Sequence, residues 1–150
     1  MRRLTLIPVA MLAVLLAAAP AAADSTYQTE RLVLAPVAGS GATGSGMVVN
    51  AHPNGPQIYA HEQYLLRGAE PNETYEVWLL LGPNCDALAP AVNTASITTN
   101  AAGNGAANFV FTFDSVDSLG IRGMTFAGAW QVLKDGVVVY QTGCTSIELD

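Results

Sequence analysis

Tyr64-Leu-Leu-Arg-Gly-Ala-Glu-Pro-Asn-Glu-Thr-Tyr-Glu-Val-Trp-Leu-Leu-Leu81 is the stretch whose reading decides the fold. It reads as a strand end, a tight corner and a new strand apolar at nearly every position. Gly68, Pro71 and Asn72 break the backbone regularity, and Tyr75 enters the new strand just behind them. A Tyr at this offset can turn its hydroxyl back to an upstream backbone group and pin the bend. The continuous apolar run after it predicts a central strand covered on both faces.

Working outward, the pattern on both sides is of short strands and turn signals. Upstream, Arg31–Val37 reads as a first strand, with Pro36 marking a sheet edge. Gly39–Gly46 is turn-forming, and Met47–Asn50 resumes as strand. His52–Pro56 is a Pro/Gly turn, and residues 57–67 form a strand with a bulge or bend. Downstream, 82–93 reads as a long loop and Thr94–Thr99 as a short strand. A hairpin turn at Asn100–Gly105 leads into Ala107–Phe113, with Phe109, Phe111 and Phe113 on one face at period two. A crossing at 114–123, with room for one short helical turn, precedes Met124–Leu133. Asp135-Gly136 is the favoured two-residue hairpin pair, returning into Val137–Tyr140. Roughly seven to nine strands at this spacing predict a single antiparallel Greek-key β-sandwich of immunoglobulin-like type.

The N-terminus has the pattern of an export signal. Arg2 and Arg3 precede an apolar run from Leu4 to Leu16, and Ala21-Ala22-Ala23 is a small-residue cleavage site. The expectation is a cleaved segment 1–23 and one mature domain, 24–150, in an extracellular or periplasmic setting. The apolar run is shorter than the ~20 residues of a spanning helix, and no second run follows. Residues 24–150 carry four basic residues against twelve acidic ones, a net charge of −8. Nucleic acid and anionic lipid need a basic footprint, so neither is an expected partner. Cys85 and Cys144 are the only cysteines of the chain. In an oxidising compartment such a pair reads as one disulfide.

Gly68-Ala-Glu-Pro-Asn-Glu-Thr-Tyr-Glu-Val77 resembles the Gly-Leu-x-Pro-x-x-x-Tyr-x-Val corner of fibronectin type III domains, with Ala69 in place of the usual Leu. The resemblance covers ten residues and implies a sandwich with a structural corner at Gly68, Pro71 and Tyr75. A second, topological likeness is to the copper/zinc superoxide dismutase sandwich. Its glycine-rich strands, corner, loop Cys and C-terminal Cys match in order here, with Cys85 and Cys144 in comparable places. Its closely spaced metal-binding His residues have no counterpart between Pro71 and Cys85.

The chemistry-bearing residues are few. Gly39–Gly44 fits G-x-G-x-x-G, but strand rather than helix follows it, so a linker turn is the reading. His52 and His61, the only imidazoles, could with Glu62 offer zinc or copper two nitrogens and an oxygen, although no spacing pre-positions both rings. Asp114 and Asp117 could ligate calcium, yet equally suit turns and a helix cap. G-x-S-x-G is missing, and no nucleophile constellation emerges. Trp78 and Trp130 read as core, or as sugar-stacking platforms if exposed. Asn72-Glu-Thr is a formal glycosylation sequon that doubles as turn. The expectation is an exported, non-catalytic module for binding, adhesion or envelope association, with an unknown protein or glycan partner and no cofactor. Two alternatives stand beside it: a metal-binding protein or metalloenzyme using His52 and His61, and a carbohydrate-binding module.

Overall fold

The computed structural model describes residues 28–52 and 58–149. The export signal, 1–23, and the Pro/Gly turn at 53–56 lie outside the described residues. The described chain is all-β apart from one short helix. Its elements are β1 (Gln28–Pro36), β2 (Ser45–His52), β3 (Ala60–Arg67), β4 (Thr74–Gly82), β5 (Ala89–Thr98), β6 (Gly105–Phe111), α1 (Phe113–Ser118), β7 (Met124–Lys134), β8 (Val137–Gln141) and β9 (Thr145–Leu149).

One hydrogen-bonded path, β5-β4-β7-β8-β1-β2-β3-β6, joins eight strands, and β9 adds to β7. Every pairing is antiparallel. β5 and β6, at the two ends of the path, are consecutive in the chain and pack alongside each other, so the sheet is nearly closed and barrel-like. β1 makes the turn of the sheet. Its first seven residues pair with β2, and its last two, Ala35 and Pro36, pair with Gln141 and Tyr140 of β8. Pro36 therefore ends the strand at a point where it changes partner, not at a free edge.

Period-two alternation decides which side chains fill the interior. On β3, Ala60, Glu62, Tyr64 and Leu66 are buried while Gln63 and Arg67 are exposed. On β4, Tyr75, Val77 and Leu79 turn into the core. Leu34, Val48, Ile97, Trp130, Val132 and Tyr140 complete a core in which each side chain is almost wholly removed from water. Burial of such side chains stabilises by about 1.5–3 kcal/mol apiece.

Several strands differ from the sequence pattern. β3 is regular, with no register shift against either neighbour. Irregularity sits instead in β5, which breaks register twice against β4, and in the β7–β8 pair, which breaks it once. β5 is also longer than expected and begins at Ala89, so the long loop contracts to residues 83–88. Pro90 is tolerated there because β5 lies at one end of the path. Phe113 leaves the sheet to start α1, which Thr112 caps by accepting from the Ser115 amide. β4 is central, and its outward face is covered only toward its end, where Leu80 is buried. Thr74 and Glu76 point to solvent, and Trp78 on the same side is half-exposed. β9 extends the fold beyond Tyr140 and turns Ile147 and Leu149 into the core.

The turns follow backbone chemistry. Lys134 pairs directly with Val137, and the two intervening residues, Asp135 and Gly136, have φ of +51° and +77°. That is the left-handed pair a two-residue hairpin demands. Cys85 and Cys144 form a disulfide with Cα atoms 5.8 Å apart, tying the β4–β5 loop to the β8–β9 connection.

Candidate functional site

The two ends of the barrel differ in chemistry. At the corner end, polar groups find partners. Gly68 has φ +65° and Asn72 φ +58°. Thr99 Oγ1 donates to the Glu70 carbonyl at 2.7 Å and accepts from the Glu73 amide at 3.0 Å. Tyr75 is buried and hydrogen-bonded with the backbone of Glu70, five residues upstream. Burial raises its phenol above the ordinary value and that hydrogen bond opposes the rise. Tyr140 donates to the Thr43 carbonyl at 2.6 Å, and Lys134 pairs with Glu70 and Glu73.

At the other end, beside α1, the inward row crosses three strands as Glu30, Asn50 and Glu62, each in register with the next. Glu62 is 2% exposed. Its Oε2 accepts from the Tyr64 hydroxyl and from Trp130 Nε1, the latter at 3.0 Å. The Tyr64 oxygen also lies 2.7 Å from Thr94 Oγ1, which in turn donates to the Val77 carbonyl. Burial pushes the Glu62 carboxyl up, against the two hydrogen bonds. Burial and the adjacent carboxylate together push the Tyr64 phenol up.

Asn50 completes the row. It is 5% exposed, and its Nδ2 donates to His52 Nε2 at 3.2 Å. Its Oδ1 is buried without a hydrogen-bond partner. An orphaned buried acceptor costs about 1–3 kcal/mol, so a native fold retains one only against some other demand.

Asn50 lines two adjoining openings. One is a cleft of about 440 Å³ between β1 and β9, lined by Thr29, Glu30, Asn50, His52, Ser146, Ile147 and Glu148. The other is an inner cavity of about 60 Å³ that shares Asn50, His52 and Ile147 and adds Tyr59, Glu62, Phe111 and an apolar wall. The cleft exists because the outer edge of β7 is divided between β8 and β9, while β1 meets β8 only at its last two residues. Thr145 Oγ1 donates to Glu30 Oε1 at 2.6 Å across that gap. Tyr59 closes the end of the barrel. It donates to the Glu148 carbonyl at 3.1 Å, and its ring meets His52 and Phe113 edge-on.

The residues expected from sequence are distributed unevenly. His52 and Glu62 line one cavity. His61, one position from Glu62 on the same strand, takes the opposite face by alternation and pairs across with Ala51. Among the described residues no group of three His, Cys, Asp or Glu converges as a metal site. Asp114 is exposed on the first turn of α1. Both carboxylate oxygens of Asp117 are held by Arg122, at 2.6 and 3.0 Å, and the Arg122 guanidinium also sits 4.8 Å above the Phe113 ring. Gly68, Pro71 and Tyr75 lie together at the corner, away from the cavity. Sequence reasoning passed over Asn50, Tyr59 and Glu30. Its usable signal was parity: Asn50 shares the inward side of β2 with Val48, where a polar residue is out of pattern.

Comparison with protein-family models, with curated proteins and with solved structures finds no match to this chain. No helix among the described residues is long and apolar enough to cross a membrane.

Proposed function

We propose that the chain is an exported, non-catalytic binding module of the β-sandwich type, taking a small polar ligand at the α1 end of its barrel. The unpartnered Oδ1 of Asn50 carries this reading, because a ligand donor supplies the hydrogen bond that the fold withholds. The cleft gives access, and the inner cavity is well above the ~10–15 Å³ one water needs. Export rests on the N-terminal charge, apolar run and cleavage triplet. The test is a thermal-shift screen of small polar compounds on the secreted protein and on Asn50→Leu. Hits that stabilise only the unsubstituted protein support the reading; hits indifferent to Asn50 sink it. Mass spectrometry of the same material should find a chain starting at Asp24 with a two-hydrogen deficit. Stoichiometric metal in protein purified without chelators would favour a metal carrier using His52 and Glu62 instead.

A second reading has its own observation. Trp78 is half-exposed on the outward face of β4, with Asn93 of β5 and Gln131 of β7 as its cross-strand neighbours. Its Nε1 donates to Glu76 Oε2 at 3.1 Å. An aromatic face ringed by amides and a carboxylate suits stacking and hydrogen bonding to a sugar. Glycan-array binding that disappears in Trp78→Ala would move the ligand site to this face.

A further inference from the structure

The walls around Asn50 hold carboxylates and, among the described residues, a single imidazole, His52, whose Nε2 accepts from Asn50 Nδ2. Glu30 and Glu148 line the cleft, Glu62 lines the cavity, and among the described residues neither lining contains Lys or Arg. An anionic ligand would meet like charge at close range in a poorly solvated site. A hydroxyl brings a single donor, whereas an ammonium brings three. Tyr59 and Phe111 also line the cavity, and aromatic rings are favourable neighbours for a cation. Leu79, Leu81, Val116 and Ile121 make the rest apolar. The cavity volume suits a head group of a few heavy atoms, and a net charge of −8 on residues 24–150 favours the approach of cations.

We propose that the site takes a small primary alkylammonium, with its N–H donors meeting Asn50 Oδ1 and Glu62 and its alkyl end against the apolar wall. This inference rests on the binding reading above and specifies the ligand class. Trp130 supplies the reporter, because its indole N–H is hydrogen-bonded to Glu62.

The experiment follows the Trp130 indole N–H signal in 15N-labelled protein, assigned by comparison with Trp78→Phe, during titration with propylammonium, 1-propanol and propionate. Propylammonium should shift the signal saturably, bind at least tenfold tighter than the other two, and lose at least tenfold in affinity in Asn50→Leu. Asn50→Ser is the second variant should Asn50→Leu fail to fold, with the same loss expected. If 1-propanol or propionate binds as tightly, with the same dependence on Asn50, the ammonium assignment is overturned and the binding reading stands. If none of the three shifts the signal, both are overturned.

Discussion

The corner end and the α1 end of this barrel both pair most of their polar groups, yet among the described residues only the α1 end leaves a buried acceptor, Asn50 Oδ1, without a partner. At the corner, Thr99, Tyr140, Tyr75 and Lys134 each satisfy a nearby backbone or side-chain group. At the α1 end a carboxyl is buried 98% by surface (Glu62 is 2% exposed) and an amide oxygen is left unpaired. The first pattern stabilises; the second costs stability and is characteristic of a site kept ready for something else. On the binding reading proposed above, the contrast separates a structural end from a ligand-binding one.

The largest expected effect tests what holds the two ends in one body. Replacing both cysteines by Ser should lower stability by about 4 kcal/mol, since the bridge closes a 59-residue separation. Urea unfolding measures it, and a loss below about 1 kcal/mol would mean that the strands alone hold the molecule together. Next comes the corner. Gly103 has φ +72°, and a Cβ there would run into the Ala69 backbone. Gly103→Ala should therefore cost about 3 kcal/mol, from left-handed strain and overpacking combined. A tolerated alanine would break the account of a tightly satisfied corner.

At the α1 end the sign should reverse. Asn50→Leu removes the orphaned acceptor and fills the inward position with an apolar side chain, so stability should rise by about 1 kcal/mol while binding is lost. Destabilisation there would make the two ends alike. The smallest effect is in pH dependence. The folded chain holds the Glu62 proton more tightly than the unfolded chain, so the stability this group contributes is full below its ordinary value of 4.5. That contribution is lost as pH rises through the raised folded value. Glu62→Gln should flatten this fall, as seen in midpoint temperatures across an acid-to-neutral series. An unchanged slope would show that Glu62 ionises in the fold as it does in the unfolded chain.

Much of the architecture was legible because it is local. Asp135-Gly136 dictates its hairpin through left-handed φ, and alternation from Thr74 onward places Tyr75, Val77 and Leu79 inside. The site was less legible. His52 and His61 look equivalent as letters, yet the pairing register gives them opposite faces of the sheet. Glu62 stands at core parity on a strand of buried neighbours, a signal present in the sequence but readable only once β3 is known to be regular. The unexpected strand β9 illustrates the same limit, because Thr145–Leu149 matters through its pairing with β7 across the chain.

By itself the sequence determined an all-β antiparallel chain, its turns and the cysteines available to staple it, because these depend on backbone preferences and period-two burial within a few residues. The pairing of Cys85 with Cys144 was also legible, as the chain has no other cysteine. Only the tertiary structure decided that the strands curl into a nearly closed barrel. It alone also set Glu30, Asn50 and Glu62 side by side around an unanswered oxygen. Register between strands distant in sequence makes those choices, and no local preference encodes it.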